Sequence, residues 1–306
     1  MDDYAQLLAS MLFAGTPLLI AGLGLLINEK VGVVNLGAEG LMLMGAVAGF
    51  AGAFWGGNAW LGLLAGIGAG ILLSALFGFL VIFLMTNQYA TGLALTLFGS
   101  GLSAFVGTGL VQERLDIAHV VTLPMWVDVP VIGAFCKLHP MVYIAVITTM
   151  LISWLFYRTR TGLVMRAVGE SPESAHALGY SVRTLRLFAV IAGGALCGLA
   201  GAYISVIYSS MWNEGMTAGR GWIALALTSF ATWRPARMLF GAYLFGGVTV
   251  LQLYMQAQGI NIASPFVMNM LPYVATILVL VLISRRPEWI RVNMPASLGK
   301  PFYPGG

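Results

Sequence analysis

The feature of this sequence that most constrains its fold is a series of apolar runs, each long enough to cross a lipid bilayer. A membrane-spanning helix needs about 20 mostly apolar residues. We predict nine such segments, each bounded by polar residues, proline or glycine. They lie near residues 7–27, 36–55, 60–85, 90–111, 141–157, 187–208, 221–233, 238–257 and 267–284. The seventh is short for a straight crossing and the second is interrupted by glycine. The sequence therefore predicts an all-α polytopic membrane protein that includes broken or re-entrant helices.

The composition agrees with a membrane protein and argues against several other classes. Of the 306 residues, 59% are hydrophobic and 8% are charged, against about 25% charged residues in an average soluble domain. The first apolar run is long enough to span, and Asp2 and Asp3 precede it, so we expect no cleaved signal peptide. The basic residues form no stripe, and we expect no nucleic-acid partner. The spacing of Cys136 and Cys197 indicates neither a disulfide framework nor a metal site.

The distribution of lysine and arginine predicts the orientation in the membrane. If residues 158–186 are cytoplasmic, alternation of the spans places twelve of the 15 basic residues on the cytoplasmic side. The N-terminus then lies outside and the C-terminus lies in the cytoplasm. Trp212 and Trp222 are predicted to anchor the protein at the membrane interface, which is a common role of aromatic residues.

The chain is predicted to contain one membrane domain with two long connections and a tail. Residues 1–284 form the membrane domain, in which residues 111–140 are an external cap loop and residues 158–186 are the long cytoplasmic loop. Residues 285–306 are basic and rich in proline, with little to bury. We predict that they form a cytoplasmic tail that lies on the surface or is flexible.

The cytoplasmic loop contains a short segment with clear signals for the start and end of a helix. Ser171 can cap the helix, Pro172 suits its first position and Glu173 complements its N-terminus. Gly179 suits the left-handed position that follows a last turn. The pattern predicts a helix of about two turns over residues 172–178, too short to be stable alone. It is either an ordinary surface helix or the contact site of a partner.

The same segment carries a resemblance to a known family. Residues 173–179, ESAHALG, resemble the EAA-x-x-x-G loop of ABC importer permeases, with Ser174 in place of the first alanine. Longer blocks that begin with NEKVGVVNLGAEGLMLMG, TRTGLVMRAVGESPES and TAGRGWIALALTSFATW resemble the permeases for ribose, branched-chain amino acids and nucleosides. The details are most similar to the nucleoside, guanosine-type branch. The resemblance covers most of residues 7–284.

This resemblance implies a membrane subunit of an ABC importer in a bacterial inner (plasma) membrane. Such permeases insert the short helix of the loop into a cleft of a separate ATPase subunit. The residues expected to couple to that ATPase are Glu170, Ser171, Pro172, Glu173, Ser174, Ala175, His176, Ala177, Leu178 and Gly179. The chain has no phosphate-binding GxxxxGK[ST] motif, so we expect no cofactor in it, and ATP and Mg²⁺ to bind the ATPase. The other partners implied are a homologous second permease in a heterodimer, an external substrate-binding lipoprotein and the lipid bilayer.

Two polar, glycine-rich stretches predict interruptions of the membrane helices. In the first, Asn35 and Glu39 lie among Gly32, Gly37 and Gly40. Irregular backbone at membrane depth occurs only where it is buried in protein or lines a cavity, and an acidic residue there is a functional-site hypothesis. Two readings stay open: the polar groups cap or bond neighbouring helices while the glycines permit close packing, or they line the substrate route.

The second interruption begins after Asn213 and includes Gly215, Thr217, Gly219, Arg220 and Gly221. Transporters often place two interrupted segments on either side of the substrate. Glu39 is the only acidic residue that we place deep within a span. The residues predicted to line the substrate route are Asn35, Glu39, Thr91, Thr217 and Arg220.

The motifs favour a transporter over an enzyme. The sequence has no HExxH, GxSxG or P-loop pattern. The resemblance implies uptake of a small polar solute, most closely a nucleoside, by alternating access; a simple sugar is the alternative. The competing class is a self-sufficient secondary transporter or channel. Proton-driven carriers usually place acid or histidine relays within the bilayer, where Glu39 stands almost alone.

Overall fold

The computed structural model describes residues 2–116, 138–258 and 293–303, with the single positions 267, 270, 271, 274, 277, 278 and 281. This part of the chain is helical and contains no strand. Its α-helices are α1 (Asp2–Lys30), α2 (Ala38–Gly56), α3 (Ala59–Gly78), α4 (Gln88–Gly107), α5 (Pro140–Arg158), α6 (Arg160–Glu170), α7 (Pro172–Ala177), α8 (Val182–Ala202), α9 (Arg220–Phe230) and α10 (Pro235–Ala257). Two π-helical segments, Phe79–Phe83 and Tyr203–Tyr208, extend α3 and α8.

The described residues, which are all-helical, include seven helices that are long and apolar enough to cross a membrane, as in a multi-pass membrane protein. They are α1, α2, α3, α4, α5, α8 and α10, in some cases with a short extension. The predicted seventh span is α9, an 11-residue helix that is too short to cross. Most of the predicted span 267–284, like most of the cap loop, lies outside the described residues. The count of nine spans and the orientation stay predictions.

The two ends of the helix bundle differ in what connects the helices. We call the end that carries residues 158–186 the loop face, and the other end the opposite face. The end of α1 and the first residues of the connection that follows it also lie at the loop face, because Lys30 and Gly32 contact α6 and the C-terminal segment. Helix α1 is central, with 78% of its apolar window buried, whereas the corresponding value is 28% for α4. The outer face of α4 is therefore available to lipid or to another subunit.

A proline within α1 removes one backbone hydrogen bond of this helix, and a side chain replaces the missing donor. Pro17 has no N–H group to donate to the carbonyl of Phe13, four residues earlier. The hydroxyl group of Tyr203 donates to that carbonyl at 3.0 Å. The lipid of a bilayer core cannot replace the missing donor, and here a side chain from another helix supplies it. The contact fixes the start of the π-helical segment after α8 against α1.

Helices α2, α3 and α8 approach each other through glycine. A Cβ atom on Gly198 of α8 would lie 2.9 Å from Cα of Gly70, and one on Gly62 would lie 2.5 Å from the carbonyl oxygen of Gly49. Real Cβ atoms are not found under 3.0 Å from other heavy atoms. Membrane helices associate through such close backbone contacts, because lipid supplies little hydrophobic driving force between them. The glycines of this region therefore fix the packing.

The first interruption lies between two helices and not inside the second. Helix α1 continues to Lys30, residues 31–37 are non-helical, and α2 is continuous from Ala38 to Gly56. Gly32 has a φ of 87°, a left-handed conformation that favours glycine. Our expectation of a break within the second span is thus wrong in position. Glu39 falls in the first turn of α2.

The two tryptophans predicted as interfacial anchors differ in environment. Trp212 is only 2% exposed and packs in a small apolar cluster near the opposite face, which includes Phe50 and Val206. The prediction for Trp212 is wrong, because its ring is buried in this cluster and packs against Gly107 at the end of α4. Trp222 is 38% exposed and remains compatible with an interfacial role.

The C-terminal tail, where it is described, is packed against the loop face. Residues 293–303 form turns, with Ser297 and Phe302 buried. From the sequence we expected residues 285–306 to contain few side chains that could be buried. For residues 293–303 this expectation was wrong. The reason is that their partners, at the ends of α1, α6 and α8, are far away in the chain and cannot be read from the tail itself.

Candidate functional site

The carboxylate of Glu39 joins the two predicted interruptions. One oxygen, Oε1, accepts hydrogen bonds from Thr217 Oγ1 at 2.5 Å and from the backbone N–H of Gly219 at 2.9 Å. The other, Oε2, accepts from the backbone N–H of Gly221 at 2.6 Å. These donors lie at the start of α9, whose first residue is Arg220. Glu39 thus acts as the N-terminal cap of α9 from a distant part of the chain.

Two helix N-termini meet at this carboxylate. Glu39 lies in the first turn of its own helix, α2, and its side chain caps α9. A helix N-terminus carries a partial positive charge and free N–H groups, so each end stabilises an anion. The burial of Glu39, which is 8% exposed, is therefore offset by three donors and two helix dipoles.

The close approach requires glycine at position 221. A Cβ atom there would lie 2.5 Å from the backbone nitrogen of Glu39 and 2.7 Å from its Oε2 atom. The sequence analysis noted this glycine and Glu39 separately. The structure shows that they are in contact.

Asn35 supports the non-helical connection before α2. Its Oδ1 atom accepts a hydrogen bond from the backbone N–H of Gly37 at 2.8 Å, and the residue is fully buried. Its Nδ2 atom is buried and has no hydrogen-bond partner in the described part of the chain. Helix α4 holds the same connection from the side, since Gln88 Oε1 accepts from Val34 N at 2.8 Å and Thr96 Oγ1 donates to the carbonyl of Leu36 at 2.9 Å.

The other two predicted route residues have different surroundings. Thr91 lies in the first turn of α4, where its hydroxyl group donates to Thr86 Oγ1 at 2.9 Å in the turn after α3. Arg220 begins α9, donates to the carbonyl of Met216 at 3.2 Å and lies over the ring of Tyr208, 5.6 Å from its centre. The structure thus groups Glu39, Thr217 and Arg220 at the start of α9, while Thr91 belongs to the turn before α4.

A second buried carboxylate, which the sequence analysis missed, holds the other end of α9. Glu29, 4% exposed, lies in the last turn of α1. Its Oε2 atom accepts from the indole Nε1 of Trp233 at 2.5 Å, and both its oxygens lie 3.0 Å from the hydroxyl group of Thr228. We had named Glu39 as the only deep acidic residue, because Glu29 follows directly after the predicted span and looks exposed in the sequence.

The predicted short helix of the loop is present. Helix α7 runs from Pro172 to Ala177, one residue shorter than predicted, and Ser171 caps it by accepting from Ser174 N at 3.3 Å. Gly179 has a φ of 88° and donates its N–H to the carbonyl of His176 at 2.8 Å. The capping prediction is confirmed at both ends.

Helix α7 is anchored on one side and exposed on the other. Pro172 and Ala175 are buried, the latter to 2% exposure. Leu178, directly after the helix, is 78% exposed and adds an apolar side chain to the exposed side of this segment. The remaining exposed residues of the predicted coupling segment are Glu170, Glu173, Ser174, His176, Ala177 and Gly179.

Comparison of the sequence with known proteins identifies relatives of this chain. The chain is 42% identical to a putative glucose ABC transporter permease protein of Haloferax volcanii, with 97% of each chain covered. It is 32% identical to a nucleoside ABC transporter permease protein of Lactococcus lactis, covering 90% of this chain and 91% of the relative. It is 30% identical to a guanosine ABC transporter permease protein of Bacillus subtilis, with 97% and 96% covered.

No solved structure matches the chain. The family described as the branched-chain amino acid transport system, permease component, matches residues 7–283. Apart from the first residues of α1, this range includes every long helix described above, the interruption before α2, the cap of α9 by Glu39 and the loop with α7. The chain therefore belongs to the branched-chain amino acid transport system permease family and is a membrane subunit of the ABC transporter type.

Proposed function

We propose that this protein is a membrane subunit of an ABC importer that moves a small, neutral, polar solute into the cell. The observation that carries the proposal is the family match over residues 7–283, together with an anchored and exposed α7 at the position of the coupling segment. The chain itself supplies no ATPase site. ATP and Mg²⁺ bind a separate ATPase subunit, and the permease converts closure of that subunit into helix movement.

The loop face is proposed to be cytoplasmic and to dock on the ATPase. Supporting this, Lys30, Arg158, Arg160 and Arg166 all lie at this end of the described bundle, as expected for a cytoplasmic side. The segment Glu170–Gly179 then presents its exposed residues to the ATPase. The opposite face receives an external substrate-binding lipoprotein. A second homologous permease completes the transporter as a heterodimer in the plasma membrane.

The contact between the two interruptions is proposed to be the moving part of the substrate route. Glu39 binds the start of α9, and Glu29 binds its end. Helix α9 is short and each of its ends is bound by one of these carboxylates, so a shift of α1 relative to α2 changes its position. Alternating access needs such an element with two arrangements. Asn35, Thr217 and Arg220 lie next to this contact.

The solute is proposed to be a nucleoside, with a simple sugar as the second candidate. The permeases of Lactococcus lactis and Bacillus subtilis bear nucleoside and guanosine names, whereas the Haloferax volcanii relative bears a glucose name. Both solute classes are neutral rings with several hydroxyl groups. The route region offers hydroxyl, amide and backbone groups, with Arg220 and Glu39 already engaged in contacts.

Uptake by cells that carry or lack this permease tests the solute. Labelled guanosine and labelled glucose are supplied separately, and binding of each to the cognate external lipoprotein is measured by calorimetry. Uptake of guanosine that requires the permease supports the nucleoside assignment, and uptake of glucose alone moves the assignment to the sugar. Uptake that continues with an ATPase subunit unable to hydrolyse ATP would instead support a secondary transporter.

A further inference from the structure

The residues 297–302, here called the C-terminal strap, connect three parts of the loop face. At its first residue, the backbone N–H and the hydroxyl group of Ser297 both donate to the carbonyl of Gly169, at 3.0 and 2.7 Å. This carbonyl belongs to the last turn of α6, where helix carbonyls lack partners within the helix. The strap therefore completes the end of the helix that leads into α7.

The strap also binds the connection between α1 and α2. The N–H of Gly299 donates to the carbonyl of Gly32 at 3.1 Å. The buried Arg186 of α8 donates from Nε to the carbonyl of Val31 at 3.0 Å, from Nη1 to the carbonyl of Lys300 at 3.2 Å and from Nη2 to Ser297 Oγ at 3.2 Å. One guanidinium group thus ties the strap and the connection to α8.

The end of the strap lies beside both α7 and the connection. The ring of Phe302, 7% exposed, meets the ring of His176 edge-on with the centres 5.5 Å apart. Phe302 also lines a small pocket whose other walls include Val33 and Gln88. Gln88 Oε1 accepts a hydrogen bond from the N–H of Val34, so this pocket borders the residues that lead to Asn35 and Glu39.

We propose that the C-terminal strap is a positioning element that transmits movement of α7 to the connection between α1 and α2. Buried groups held by hydrogen bonds and close packing have little room to absorb a displacement, so they pass it on. A shift of α7 moves His176 and Phe302, and the bonds of Gly299 and Arg186 pass this shift to Gly32 and Val31. The inference rests on the proposed function, since it assigns a path to the coupling between ATPase and substrate route.

The test uses the complete complex, with its ATPase, second permease and binding protein, in proteoliposomes. The variants are Phe302→Ala, the conservative Phe302→Leu and, as a matched control, Tyr303→Ala, whose aromatic ring is 58% exposed. Solute uptake and ATP hydrolysis are measured on the same vesicles. We expect Phe302→Ala to lower the number of solute molecules taken up per ATP by about fivefold or more. Phe302→Leu retains most of the wild-type ratio, and Tyr303→Ala retains all of it.

A merely structural role of Phe302 would lower both activities in parallel and leave their ratio unchanged, which would overturn the inference. If Tyr303→Ala lowered the number of solute molecules taken up per ATP as much as Phe302→Ala does, the inference would also be overturned. The effect would then come from the outer surface of the tail. If Phe302→Ala does not assemble, Ser297→Ala replaces it with the same expected fall. A wild-type complex that takes up no solute overturns the proposed function, and the inference with it.

Discussion

The hydroxyl group of Thr217 donates to Oε1 of Glu39 across 2.5 Å, although 178 positions separate the two residues in the chain. The sequence had predicted that each residue belongs to a different interruption of the membrane helices. The contact means that the start of α2 and the start of α9 share one carboxylate. Any rearrangement that opens a path between these elements must break or move this hydrogen bond.

Replacement of Glu39 separates its structural role from a role in transport. Glu39→Ala leaves the N–H groups of Gly219 and Gly221 without their acceptor, and we expect a loss of stability on the order of 3 kcal/mol. Glu39→Gln keeps an acceptor oxygen but places an amide N–H₂ group against a donor, so its cost is intermediate. The apparent melting temperature and the uptake rate of the purified, reconstituted variants measure the two effects.

Glu113→Gln is the control for these variants, because Glu113 is exposed near the opposite face. It should match the wild type in both measurements. If Glu39→Gln is stable but does not transport solute, Glu39 takes part in the substrate route. Normal uptake by both Glu39 variants at normal expression would exclude that role.

The contact of Glu29 with Trp233 and Thr228 should stabilise the C-terminal end of α9. Thr228→Val removes the hydroxyl group with the shape of the side chain nearly unchanged, whereas Trp233→Phe removes the indole N–H together with part of the ring. We expect each variant to lower the free energy of unfolding by about 1–3 kcal/mol. The double variant should lose less than the sum, because both donors serve one carboxylate. Strict additivity would show that the two donors act independently.

The glycine contacts between α3 and α8 should tolerate no side chain. Gly198→Ala places a methyl group against the backbone of Gly66 and Gly70, so the helices must separate. We expect a strong fall in the yield of folded protein, measured by size-exclusion chromatography of the detergent-solubilised permease. Gly68→Ala, in the same helix as Gly70, meets no atom within 4 Å and is the matched control. Similar yields for the two variants would show that the helices can repack.

Leu178 should contribute to the association with the ATPase and not to the stability of the permease. It is 78% exposed at the end of α7, so Leu178→Asp costs little folding energy but places a charge in the proposed interface. We expect weaker binding of the ATPase subunit in a pull-down with the reconstituted permease and an unchanged melting temperature. Thr184→Asp, an exposed position at the start of α8, is the control. If Leu178→Asp bound the ATPase subunit as strongly as Thr184→Asp and the wild type do, the docking surface would lie elsewhere.

The sequence predicted those features that depend on local pattern. Runs of apolar residues gave the long helices, and the order of Ser171, Pro172 and Gly179 gave α7 with an error of one residue. These signals are local because helix caps and membrane spans are determined within a few turns. The same reasoning identified Glu39 and Thr217 as members of two separate interruptions.

The features that could not be predicted depend on distant partners. Glu29 looks like an exposed residue beside Lys30, and only the fold of the chain after α9 brings Trp233 against it. Trp212 was misread because a tryptophan near a predicted membrane boundary has the same local pattern whether it faces lipid or a core. The partners of Ser297 lie more than 100 positions away, so no window of the sequence contains them.

The position of the C-terminal strap in the chain has a consequence for biosynthesis. A polypeptide is made from its N-terminus, so Gly32, Gly169 and Arg186 leave the ribosome well before residues 297–302. During that interval the carbonyls of Gly32 and Gly169 lack the donors that they have in the finished protein. The surface that carries α7 is thus completed only after translation has passed the strap. An unfinished chain cannot offer this surface in its final form to a partner.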